Sequence, residues 1–132
     1  MTAAQTSIMI TKLLWEIGIP MHVHGYHYLT YALQLTTNQT ETSVNLSHQL
    51  YPCIAQHFHT TPSSVERSIR HAIELAWKRG KFTEVKQLFG RSLNLMYEKP
   101  TNGEMIALLT ERIRLDQYEV ALSEDPKRAA HV

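Results

Sequence analysis

Residues 60 to 81, TTPSSVERSIRHAIELAWKRGK, carry the start, stop and facial signals of one helix. Thr61 is placed to cap its first turn, Pro62 suits the first helical position, and Gly80 suits the stop. Lys78 and Arg79 then fall beside the carbonyl end, and Glu66 is expected in the first turn, where a carboxylate favours the positive end of the dipole. At about 100° per residue, Val65, Ile69, Ala72, Ile73 and Ala76 share one side. Ser63, Arg67, Arg70, His71, Glu74 and Lys78 fall on the other. Such a cationic face also occurs on plainly solvated helices. A helix that buries one side and shows Ser, Arg and His on the other nevertheless suits insertion into the DNA major groove.

What precedes it favours the second reading. In VNLSHQLYPCIAQHF, residues 44 to 58, Leu46, Leu50, Ile54 and Phe58 recur at steps of four, marking another amphipathic helix. Pro52 predicts a kink within it or a start near Leu50. The connector His59-Thr60-Thr61-Pro62 has room only for a tight turn. Two helices so joined match the helix-turn-helix, whose second helix, here about 62–79, reads bases while the first braces against the backbone.

The rest of the chain also reads as helix. Residues 6 to 17 carry Ile8, Ile10, Leu13, Leu14 and Ile17 and end at Gly18, with Pro20 blocking continuation. Residues 25 to 38 carry Tyr28, Leu29, Ala32, Leu33 and Leu35. A short helix is predicted over Thr83 to Phe89, stopping at Gly90. The last opens at Thr101, where Thr101 and Glu104 have capping-box spacing, and runs through Met105, Ile106, Leu108, Leu109, Ile113 and Leu115. No stretch alternates with period two long enough for a strand. The expected fold is therefore all-α, about six helices containing a helix-turn-helix, in one domain over residues 1–120, with a frayed tail at 121–132.

A chain of 132 residues can bury a core without a disulfide or a metal. Its single cysteine, Cys53, lies among Leu50, Tyr51 and Ile54 and is expected to be a buried, inert thiol. A lone cysteine, no membrane-length apolar run and no signal-peptide pattern point to the cytoplasm and to no membrane partner. The formal net charge is only +1, but charge is concentrated. Residues 61 to 82 hold five Lys or Arg against Glu66 and Glu74, five minus two giving +3, and the flanking segments are each −1.

Catalytic patterns are missing: there is no Gly-rich phosphate loop, nucleophile elbow or HExxH. The chain is read as no enzyme. His22, His24 and His27, with His57 and His59, have spacing that could suit Zn²⁺ or Ni²⁺. With no carboxylate or thiol beside them to complete a site, neither a metal nor another cofactor is expected.

An ordered series of short motifs leads further: IleGlyIlePro at 17–20, HisGlyTyr at 24–26, LeuTyrPro at 50–52, ValGluArg-x-IleArgHisAlaIleGlu at 65–74 and AlaTrp-x-ArgGly at 76–80. LeuPheGly at 88–90 and LysProThrAsn at 99–102 extend it. Together they resemble, over roughly residues 8 to 116, the C-terminal DNA-binding effector domain of the sporulation initiation response regulator, the stage zero sporulation protein A family of endospore-forming Gram-positive bacteria. The resemblance implies six helices with the fourth reading DNA. It also implies activation and repression at promoters carrying a short box, RNA polymerase as partner, and a tandem homodimer on DNA.

Carried across residue by residue, the family's reading positions fall on Ser64, Glu66, Arg67, Arg70, His71 and Glu74, and Ser63 joins them on the polar face. Arg67 suits guanine O6 and N7, Glu66 suits cytosine N4, and Arg70 and His71 suit phosphates or a further base edge. Ser64 departs from the pattern, since the family usually has Arg there, which shortens one cationic contact to a hydroxyl. Family members also carry a receiver domain with a phosphorylatable aspartate, and nothing here alternates strand and helix in that way. The chain is thus expected to be an excised effector domain or a short paralogue, the start just before the homologous region favouring excision. A competing reading is a helical protein-interaction module that uses the last helix and has lost DNA binding.

Overall fold

A computed structural model describes residues 2–38, 49–79 and 99–124, which form five helices and no strand. The first, α1 (Ala3–Glu16), starts earlier than apolar spacing alone predicts. Thr2 and Gln5 form a capping box there: the Thr2 hydroxyl accepts from the Gln5 backbone at 3.1 Å, and the Gln5 side chain accepts from the Thr2 amide at 2.8 Å. The helix stops at Gly18, whose φ of 89° lies in the left-handed region open to glycine. The Gly18 and Ile19 amides return to the Trp15 and Leu14 carbonyls at 3.1 and 3.0 Å, closing the helix end.

Helix α2 (His24–Thr37) packs against α1, α3 (Tyr51–His57), α4 (Pro62–Lys78) and α5 (Asn102–Glu124). It buries Tyr26, Tyr28, Leu29, Ala32 and Leu33 against Ile10 and Leu14 of α1, Ile69 and Ile73 of α4, and Met105 and Leu109 of α5 within one core. Gly25 sets how closely α2 meets α4. A Cβ there would collide with the Ser68 carbonyl and lie 2.7 Å from the Ala72 methyl. At the other end of α2, the buried Thr36 and Thr110 hydroxyls share a 2.7 Å hydrogen bond, and Arg114 donates to the Thr36 carbonyl at 2.8 Å. That guanidinium satisfies one of the carbonyls that a helix end leaves open.

One expectation is met in one of its two forms, and two need correction. Pro52 sits in the first turn of α3, which begins just after Leu50, so the late start holds rather than a kinked helix. The part of that predicted helix at 44–48 lies outside the described residues, as do Gly80, the short helix at 83–89 and Gly90. The last helix runs on to Glu124, well past Leu115, so residues 121–124 are helical; the rest of the predicted tail is outside the described residues. Cys53 is exposed, not buried. Leu50, just before α3, and Ile54 and Ala55 on it face the core, and Cys53 turns outward with Pro52 and Gln56 despite its apolar sequence neighbours. Among the described residues no helix is long and apolar enough to cross a membrane.

Candidate nucleic-acid interface

The connection between α3 and α4 is built from backbone hydrogen bonds and one unusual residue. His59 has φ 56°, a left-handed conformation in which histidine is among the better tolerated non-glycine residues. Its amide donates to the Gln56 carbonyl at 3.4 Å, and the Thr60 amide donates to Ala55 at 2.9 Å. These paired bonds end α3 and turn the chain at once. Thr61 then extends, with φ −106° and ψ 153°, and its hydroxyl accepts the Ser64 amide at 3.1 Å to open α4. Aromatic rings fix the turn to α2. Phe58 lies edge-on to Tyr28 and Tyr31 at 5.1 and 5.7 Å, and His57 stacks on Tyr31 at 4.1 Å.

That packing gives His57 a structural role, and His24 stacks on Tyr28 at 6.2 Å. Among the described residues, no three His, Cys, Asp or Glu side chains come together in a way that could hold a metal ion.

Helix α4 divides as its sequence divides. Val65, Ile69, Ala72, Ile73 and Ala76 are buried. Ser63, Arg67, Arg70, His71 and Lys78 are exposed, and Ser64, Glu66 and Glu74 are half-buried. Pro62 is the first helical residue, which places Glu66 fifth, beyond the first turn. Its carboxylate pairs instead with Arg70 at 3.3 Å, one turn on. Arg67 donates through Nε to its own helix, at the Ser63 carbonyl, 3.4 Å away.

Sequence reasoning missed two residues beside this face. Lys99, in the lead into α5, donates to the Glu74 carboxylate at 2.7 Å. That bond, followed by the positive charges of Lys99, Lys78 and Arg70, holds the Glu74 carboxyl below the usual carboxylate range. Asn102 donates to the Glu66 carbonyl at 3.0 Å and to the Tyr51 hydroxyl at 3.2 Å, joining α5, α4 and α3. Burial pushes the Tyr51 hydroxyl up, against the lowering effect of the Asn102 bond. Both residues belong to the LysProThrAsn motif, but no local spacing connects that motif with positions 25 and 36 residues earlier.

The outcome is a surface on which Arg67, Arg70, Lys78 and Lys99 outnumber Glu66 and Glu74. Tight turn, capped second helix and cationic outer face define a helix-turn-helix domain. Residues 10–113 match the family described as sporulation initiation factor Spo0A C terminal, and the chain belongs to that family. It is a family of helical DNA-binding regulatory domains rather than of enzymes, and the match spans both the turn and all of α4.

Proposed function

We propose that the chain binds promoter DNA sequence-specifically through the outward face of α4 and regulates transcription at the initiation of sporulation. The observation that carries this reading is the row of exposed Arg67, Arg70, His71 and Lys78 opposite a fully buried apolar row on one helix. Arg67 reads guanine through O6 and N7, and Glu66 accepts from cytosine N4. Ser63 and Ser64 lie in the first turn, the end of a recognition helix that meets base edges. Arg70 and His71 hold phosphates and set the register. The protein works in the cytoplasm with RNA polymerase as its partner.

A mobility-shift titration on a duplex carrying a sporulation-type promoter box, at two salt concentrations, tests the proposal. Binding should weaken steeply as salt rises, since each neutralised phosphate releases condensed counterions. Replacing Arg70 or His71 by Ala should flatten that dependence by about one ion for each phosphate no longer neutralised. Undetectable or salt-insensitive binding would instead favour a protein-interaction module.

A further inference from the structure

We infer that Lys99 is a phosphate contact of this DNA interface and that Glu74 is the residue that positions it, not a reader of bases. The inference rests on the proposed DNA binding by α4.

The major groove of B-form DNA is about 12 Å wide, close to the width of a helix with its side chains. Residues on the flanks of a seated helix therefore meet the phosphate-lined walls. Lys99 stands on such a flank without belonging to α4. It and Arg70 line the same groove of about 490 Å³ between α4 and the start of α5, and its ammonium is held at 2.7 Å by Glu74. Cationic surface thus extends sideways past the helix, where the groove wall would run.

Glu74 is badly placed for base reading. Recognition helices contact base edges through their N-terminal residues. Glu74 comes twelve positions after Pro62, about 18 Å along the axis at the usual helical rise. A bare carboxylate facing phosphates is repelled, and here Lys99 offsets its charge. The side chains are 34% and 39% exposed, so the pair faces solvent and adds little to stability. An ammonium has three donors, and one bond to Glu74 leaves the others for a phosphate oxygen. Glu74 confines an otherwise flexible four-carbon stem to the flank of α4.

Fluorescence anisotropy with labelled cognate and scrambled duplexes, over a salt series, tests this on the full chain. Lys99→Gln keeps a polar group beside Glu74 while removing the charge. It should weaken both duplexes alike and lower the slope of log affinity against log salt by about one. Lys99→Arg should restore the wild-type slope. Glu74→Gln should leave the preference at every base pair unchanged on a panel of singly substituted boxes, while shifting affinity for all of them together. With wild type binding DNA, an unchanged slope in Lys99→Gln, or a preference altered at one base pair by Glu74→Gln, overturns the inference and leaves DNA binding standing. Wild type that does not bind DNA overturns the proposed function itself. Thermal melts of each variant identify unfolded protein, and Lys99→Arg then supplies the comparison by its slope on the two duplexes, where a slope lowered by one or more counts against a phosphate contact.

Discussion

Arg67 lies near the middle of the outward face of α4, exposed, with a hydrogen bond, among the described residues, to the preceding turn of its own helix. Folding does not use its guanidinium for packing, so its role can be separated from stability. Arg67→Ala should lower specific binding by about 1–3 kcal/mol and leave the melting temperature unchanged. Equal loss on scrambled DNA would reduce Arg67 to a phosphate contact, and a lowered melting temperature would make it structural. Glu74 allows a different separation, by pH. Its carboxyl is held below the usual range in the folded protein, so its pairing stabilises the fold above the unfolded-state value and is lost as pH falls through the folded one. Wild type and Glu74→Gln should therefore differ slightly in melting temperature at neutral pH and converge in acid. A difference that persists below the carboxylate range would place the effect in packing rather than in the ion pair with Lys99.

The elements that position α4 depend on two small residues. Gly25→Ala would drive a methyl into the Ser68 carbonyl and push α2 off the recognition helix, at a cost of about 1–3 kcal/mol by overpacking. Chemical denaturation should show that loss together with weaker DNA binding, and an unchanged midpoint would mean that the helices separate freely. Asn102 is buried and bonds to both α4 and α3, so Asn102→Ala leaves the Glu66 carbonyl and the Tyr51 hydroxyl without their donor. A destabilisation of about 1–3 kcal/mol is expected, read as a shift in the same midpoint. Neither effect was legible in the sequence, where HisGlyTyr and LysProThrAsn are only motifs. What periodicity, caps and prolines announce locally did come through: the buried row of α4, the Thr61 cap, the stop at Gly18 and the Thr101–Glu104 capping box all stand as their spacing implies. Errors arose where a local rule met a tertiary choice. Cys53 has apolar neighbours in sequence but faces outward, because a helix sorts residues by angle and not by adjacency. Glu66, expected beside the helix dipole, pairs with Arg70.

At the scale of the whole molecule, the motifs converge: Tyr51, Glu66 and Asn102 come from three of them and meet through one amide side chain. From α5 the core takes Met105, Ile106, Leu109 and Ile113, with Leu108 partly buried against it. Arg114 serves α2, and Arg112 pairs with Asp116 at 3.5 Å. Leu115 and Tyr118 remain outside, at 56% and 58% exposure, while α1 exposes Ile8 and Trp15 at 55% and 67%. A head-to-tail arrangement on adjacent boxes would need two different patches on each subunit, and these exposed side chains are our candidates for them. Each patch is only a few side chains, too small for the roughly 1,200 Å² of a standard stable interface. The free chain should therefore sediment as a monomer, while DNA supplies the proximity that lets so weak a contact act. Binding to a two-box duplex should be tighter than two independent single-box events, and Trp15→Ala or Leu115→Ala should remove that excess without changing single-box affinity. A tight dimer in free solution, or strictly independent occupancy of the two boxes by wild type, would rule the arrangement out; cooperativity that survives both substitutions would move the contact to another surface.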